Sequence, residues 1–175
     1  MLLKLMLVLA MALSAAGGLV RWALEQDDPE KLIKQTGYTL QEAIARAAKE
    51  VKEGIPVLAE LEEEDGRIIY SIEFAQGSKI VEVNLDAKTG ELVKKDTENE
   101  DKSEIAKACP FPLPKAIEIA LQKLPGKAIE ADAEVSEGKG KIDVKILHEG
   151  KVRKVVLDGA TGDVLSVKTK KEDKE

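Results

Sequence analysis

Residues 85–93, LDAKTGELV, return as LDGATGDVL at residues 157–165. In both stretches Thr follows Asp by three positions and Gly follows it by four, and the two Asp residues lie 72 positions apart. This spacing favours a tight turn, because the Asp carboxylate accepts hydrogen bonds from backbone N–H groups and Gly takes a left-handed conformation. The sequence therefore predicts two structural turns, built on Asp86, Thr89 and Gly90, and on Asp158, Thr161 and Gly162.

Each turn closes a longer unit that the chain carries twice, at residues 40–94 and 113–167. The units open with helices striped by apolar residues, LQEAIARAAKEV and LPKAIEIALQKL, and continue with alternating strands such as YSIEF and IDVKI. An internal repeat decides the architecture, and one-sided alternation is typical of antiparallel sheets. We therefore predict an α+β fold of two tandem repeats, each with one α-helix packed on a four-stranded antiparallel β-sheet. The two halves are expected to pack together or to extend one sheet.

The same patterns assign side chains to faces. Strand alternation predicts that Leu92, Leu165 and Val167 point toward the helices, and the helix stripe places Ile119 on the outer side.

The N-terminal residues predict export. Residues 1–18, MLLKLMLVLAMALSAAGG, have the charged start, apolar stretch and small-residue cleavage site, near Ala16, of a signal peptide. We expect a secreted or periplasmic product with no stable membrane insertion after cleavage; an uncleaved N-terminal membrane anchor is the alternative. The remaining segments are an N-terminal segment with a short helix at 19–39, a linker at 95–112 and a charged tail at 168–175.

Composition excludes several functions. The net charge of −6 argues against nucleic acid and against anionic membrane surfaces, which attract clustered Lys and Arg. Cys109 is the single cysteine, so it forms no disulfide within the chain, and pairing between chains stays open. His148 is the single histidine and falls in a predicted hairpin. No catalytic, cofactor or metal motif is present, and we predict a non-enzymatic protein without a cofactor.

The strand Y/I-x-I/V-x-F/I and the closing D-x-x-T-G-E/D-V/L-L/V, present in both repeats, resemble the PepSY domain. That family occurs in propeptides of thermolysin-like metallopeptidases and in small secreted bacterial proteins. The resemblance implies a non-catalytic module that binds or inhibits a peptidase outside the cytoplasm. Because no peptidase domain follows in this sequence, the expected target is a separate protein.

Two groups of residues are candidates for a binding surface. The sheet face opposite the helix of repeat 1 is predicted to carry acidic side chains without alternating Lys or Arg, and like charges on neighbouring strands favour a cation or a basic partner. A solvated acidic face and a cation- or small-ligand-binding sensor are the alternatives. Repeat 2 adds apolar residues to the corresponding face, which either bind a partner or pack the repeats together. The candidate surface residues are Glu60, Glu62, Glu73, Glu82, Leu147 and Val156.

Overall fold

The structure is a computed structural model that describes residues 28–169. The predicted signal peptide, residues 19–27 of the N-terminal segment and residues 170–175 of the charged tail lie outside these residues. The described residues form helices α1 Pro29–Ile33, α2 Leu40–Ala47, α3 Ser103–Ala108 and α4 Leu113–Lys123. Their strands are β1 Ile55–Glu64, β2 Arg67–Gln76, β3 Lys79–Asp86, β4 Leu92–Glu98, β5 Lys127–Ser136, β6 Lys139–His148, β7 Lys151–Asp158 and β8 Val164–Thr169.

Helix α2 begins at a capping box. The Thr39 hydroxyl accepts from the backbone N–H of Glu42, and the Glu42 carboxylate accepts from the backbone N–H of Thr39 at 2.7 Å. These bonds satisfy donors that a helix start otherwise leaves unpaired. The helix ends one turn before the predicted Val51, because Lys49 and Glu50 donate to carbonyls three residues back. This tightened turn is of the 3₁₀ type common at helix ends.

All eight strands belong to one sheet, in the order β4-β3-β2-β1-β5-β6-β7-β8. Every neighbouring pair is antiparallel, including the junction of β1 with β5 that joins the two repeats. The prediction of an α+β fold with two helix-and-strand repeats is confirmed. Of the two arrangements expected for the halves, the extended single sheet is the one observed.

The junction relates the repeats by a pseudo-two-fold axis perpendicular to the sheet. Ala59 on β1 lies opposite Ala131 on β5. Ala131 is also the residue of repeat 2 that corresponds to Ala59, 72 positions later in the sequence. Equivalent residues therefore meet at the axis, as in the self-complementary interface of a symmetric dimer. Because the axis is perpendicular to the sheet, α2 and α4 lie on the same face and contact each other.

Alanines occupy the centre of the core that the repeats share. Ala59 and Ala131 lie under the helices with no exposed surface, and so do the four inward alanines of α2 and α4. Small side chains here bring the helices close to the sheet, and larger ones fill the core toward its edges. A single hydrophobic cluster contains residues of both repeats.

The short helices extend the repeat toward its N-terminal side. Leu32 on α1 is buried in the shared core, and Ile105 on α3, 73 positions later, packs against the same core. This offset equals that of the main helices. The repeating unit therefore includes a preceding short helix, which the sequence analysis did not assign to the repeat.

The predicted side is kept by Leu92 and Val167, which lie opposite the core residues Leu85 and Val155, whereas the prediction for Ile119 is wrong and Leu165 falls at a break in the alternation. Leu92, Leu165 and Val167 are 47%, 53% and 39% exposed, because they lie on the edge strands β4 and β8. A register irregularity between Val156 and Leu157 leaves Leu165 without a partner on β7. Ile119 is half-buried and packs against the core instead of pointing outward.

We predict that Ala59→Leu and Ala131→Leu each lower the free energy of unfolding by about 1–3 kcal/mol, because neither site has room for three more carbon atoms. Ala45→Leu, at an exposed position of α2, should leave it nearly unchanged. Urea denaturation of the wild type and the three variants measures the free energy of unfolding. Because the repeats share one core, a single transition is expected in each, and two separate transitions would contradict the shared core.

Candidate functional site

The candidate surface residues all lie on the side of the sheet turned away from α2 and α4, which we call the polar face. Its side chains alternate along the strands with the buried core residues. The polar face includes Leu58, Glu60, Glu62, Ile69, Ser71, Glu73, Glu82, Asn84, Glu130, Asp132, Asp143, Lys145, Leu147, Lys154 and Val156.

Cross-strand pairing brings the four predicted acidic residues together. Glu73 on β2 lies directly opposite Glu82 on β3. Glu60 lies one strand away on β1, opposite Ser71, and Glu62 lies two residues further along the same strand. The four carboxylates therefore share one region of the face.

Glu73 and Glu82 have partners within the chain. Lys102, which precedes α3, places its Nζ 2.5 Å from a carboxylate oxygen of Glu73, and both side chains are about four-fifths buried. The Ser71 hydroxyl donates to Glu82 at 3.0 Å. Lys102 lies far from these strands in the sequence, so strand alternation gave no sign of its contribution.

The pseudo-two-fold axis reverses the charge of this pair. Glu73 and Glu82 correspond to Lys145 and Lys154, which lie opposite each other on β6 and β7. Lys145 forms an ion pair with Glu130 at 2.6 Å, and Lys154 forms one with Asp143 at 2.9 Å. The polar face therefore has an acidic pair in repeat 1 and a basic pair at the same place in repeat 2.

Several members of the polar face are buried. Leu58 and Val156 are 3% and 8% exposed, and Leu147 is half-buried. Asn84 is 2% exposed, and its side-chain oxygen accepts no hydrogen bond from the described residues. A buried acceptor without a donor is costly, so Asn84 is a point at which a further donor would be stabilising.

The two structural turns have the predicted geometry. Lys88 and Thr89 donate backbone N–H bonds to one oxygen of Asp86 at 3.0 and 2.8 Å, and Asp158 accepts the equivalent pair. Gly90 and Gly162 have φ values of 79° and 77°. The backbone N–H of Thr89 is the main reason that the pKa of Asp86 is lowered, and Thr161 acts in the same way on Asp158.

An aromatic cluster packs beside the first turn and differs between the repeats. The Tyr38 hydroxyl donates to the Asp86 carbonyl at 2.8 Å, and the guanidinium of Arg46 lies 4.4 Å from the centre of the Tyr38 ring. Burial, reinforced by the nearby Tyr70, raises the pKa of Tyr38 to about 12. Repeat 2 has Phe111 and Ile119 at the positions of Tyr38 and Arg46. The fold therefore accepts either a polar or an apolar cluster here.

The single cysteine and the single histidine, Cys109 and His148, both contact backbone carbonyl groups of the chain. Cys109 is 3% exposed, its thiol lies 3.4 Å from the Lys141 carbonyl, and burial is the main reason that its pKa is raised. His148 lies at the end of β6 with its Nδ1 2.5 Å from the Pro125 carbonyl. Among residues 28–169, no group of three or more His, Cys, Asp or Glu side chains is arranged to hold a metal ion.

One shallow groove of about 590 Å³ lies between the start of α2 and the first half of α4. Gln41 contributes from α2, and the remaining lining residues are Pro112, Pro114, Lys115 and Glu118. The two charged side chains form an ion pair with each other at 2.8 Å. No helix in the described part of the chain is long and apolar enough to cross a membrane.

Comparison with known proteins fits this repeated architecture. A family model described as peptidase propeptide and YPEB domain matches residues 37–96 and 113–168, together about two thirds of the chain. The chain belongs to the PepSY family. Each PepSY match contains one main helix and the four strands that follow it.

Two solved structures resemble this PepSY protein. A candidate lipoprotein of Clostridium difficile 630 is 20% identical, with 83% of this chain and 97% of that chain covered and a TM-score of 0.47. The YpmB protein of Bacillus subtilis is 21% identical, with 74% of this chain and 95% of that chain covered and a TM-score of 0.33. The search of curated proteins gives no significant match.

We predict that Asp86→Asn lowers the Tm at neutral pH by a few degrees, because an amide accepts the turn N–H groups less strongly than a carboxylate. The folded-state pKa of Asp86 is lowered, so its stabilisation is present above the unfolded-state pKa of about 4 and is lost as the pH falls through the lower folded-state value. The Tm difference between variant and wild type should therefore shrink in acid.

Thermal unfolding followed by circular dichroism between pH 7 and pH 2 measures this difference. Glu91→Gln removes the same charge from the neighbouring exposed position and serves as the control. A Tm difference that stays constant over the whole range would contradict the assigned role of the carboxylate.

Proposed function

We propose that this protein is exported and binds a peptidase, or another protein of the cell envelope, and restrains its activity. The observation that carries the proposal is the double match to a family described by its peptidase propeptides. Here the two modules form one continuous sheet, so the chain presents both as a single body.

The site chemistry supports binding rather than catalysis. A nucleophilic Cys needs a lowered pKa and access to solvent, whereas Cys109 is buried and its pKa is raised. The Nδ1 of His148 lies 2.5 Å from the Pro125 carbonyl and its Nε2 lies 3.6 Å from a carboxylate oxygen of Glu149, so both ring nitrogens face groups of the chain itself. These two residues therefore fit structural roles.

The polar face supports recognition of a charged protein surface. Its acidic pair, Glu73 and Glu82, and its basic pair, Lys145 and Lys154, occupy equivalent positions on the two halves. Charges patterned in this way select a partner with the complementary arrangement and reject others. The buried acceptor of Asn84 lies on β3, two residues along from Glu82, and Asn84 pairs with Lys94 on the edge strand β4.

Export rests on the sequence of residues 1–18, which has the features of a signal peptide. A secreted or periplasmic protein would meet peptidases of the envelope and culture fluid, and these are the partners that membership of the PepSY family suggests.

Affinity capture with residues 17–175 tests the proposal, using the envelope and culture fluid of the host as the source. We expect a retained peptidase whose activity falls as purified protein is added. Retention of no peptidase by a folded bait would contradict the peptidase assignment.

A paired substitution tests the polar face. We expect Glu73→Gln with Glu82→Gln to weaken inhibition about tenfold, a loss of about 1.4 kcal/mol, because it removes the acidic pair. Glu50→Gln with Glu53→Gln removes two exposed charges elsewhere and is the control. Circular dichroism confirms folding. Equal inhibition by both double variants would exclude the acidic pair from the contact.

A further inference from the structure

The sheet has two edges, β4 and β8, which the pseudo-two-fold axis relates to each other. Within residues 28–169, β4 pairs only with β3, and β8 pairs only with β7. The outer side of each strand therefore carries backbone N–H and C=O groups that the sheet does not use. Such an edge is a template for another extended chain unless side chains protect it.

Charged residues protect β4. Its middle is Lys94, Lys95 and Asp96, and Lys94 forms an ion pair with Asp96 at 2.5 Å. The Lys95 ammonium donates to the Glu50 carbonyl at the end of α2. Lysines on an edge strand oppose the approach of a further strand, because pairing would remove water from their charges.

The corresponding places on β8 carry one charged residue, Lys168 at the position of Asp96. Val167 stands where β4 has Lys95, and Ser166 stands where it has Lys94. Val167 is 39% exposed and the neighbouring Leu165 is 53% exposed. Because Lys95 occupies the equivalent site of the same fold, the fold does not require an apolar residue at position 167. Both edges carry an exposed leucine, Leu92 or Leu165, and Val167 in place of Lys95 is the apolar feature that repeat 2 alone has.

We propose that β8 binds an extended segment of a partner protein, which adds as a ninth strand to the sheet. Unused backbone groups specify an extended chain, and Leu165 and Val167 favour apolar side chains at alternate positions of that chain. The proposal rests on the proposed function for the class of partner, a peptidase or another envelope protein, and adds the place and the form of the contact.

The dimensions of the edge favour a segment over a second copy of this protein. β8 has six residues, so its paired length is about 20 Å. A contact of that length alone falls below the roughly 1,200 Å² that stable protein interfaces bury. An extended segment needs less area, because main-chain hydrogen bonds supply much of its affinity.

A peptide panel tests the proposal directly. The probes are ten-residue peptides in which Thr alternates with Val, Leu or Phe, each matched by a version with a central Pro that cannot complete a strand ladder. We expect the full chain to bind an unbroken peptide and not its Pro version. Hydrogen exchange should slow at the β8 amides that do not bond to β7, and not at β4.

Two substitutions locate the binding edge. Val167→Lys gives β8 the residue that β4 carries, and it should weaken peptide binding at least tenfold while leaving the Tm nearly unchanged. Leu92→Lys makes the same kind of change at an exposed apolar residue of β4 and should bind like wild type. Light scattering gives the oligomeric state of each variant.

The proposal is overturned if no peptide binds, if Val167→Lys binds as well as wild type, or if wild type is a dimer that Val167→Lys dissociates. In the last case, β8 binds a second copy of this protein and not a partner segment. If a captured peptidase is inhibited equally by wild type and Val167→Lys, the edge assignment fails and the proposed function stands. If peptides bind at β8 and no peptidase is captured, the edge assignment stands and the peptidase assignment fails.

Discussion

The antiparallel pairing of β1 with β5 is the constraint on which the rest of the structure depends. Because Ala59 meets Ala131 at this junction, the repeats are related by a two-fold axis, and both main helices lie on one face of the sheet. A unit of about 55 residues has little core of its own and is marginally stable alone. Joined through β1 and β5, the two units share one hydrophobic cluster. The junction also determines that β4 and β8 become the edges.

The duplication separates what the fold requires from what it permits. The Asp-Thr-Gly turns occur in both repeats with the same hydrogen bonds to the Asp carboxylate, so they belong to the fold. Glu73 is replaced by Lys145 at its equivalent position, and Lys95 is replaced by Val167. These differences concern the polar face and the edge strands, and the central alanines of the core are the same in both copies.

Sequence periodicity predicted the helices, the strands and the turns, because these depend on local spacing. It did not predict the strand order, since the pattern of β1 is the same whichever strand lies beside it. The exposure of Leu165 was missed because a register irregularity at an edge breaks the alternation. The partners of Glu73 and Cys109 were missed because Lys102 and the carbonyls of β5 and β6 come from distant parts of the chain. The acidic residues were found together because all of them lie on paired strands.

The two repeats form one sheet, which we expect to unfold as a unit. Native-state hydrogen exchange of the amides that bond across the junction, in Leu58–Glu60 and Glu130–Asp132, tests it most directly. We expect these amides to exchange only by global unfolding, with the same opening free energy as the central amides of β2 and β6. Exchange by a lower-energy local opening, with β2 and β6 still protected, would show instead that the junction opens while each repeat stays folded.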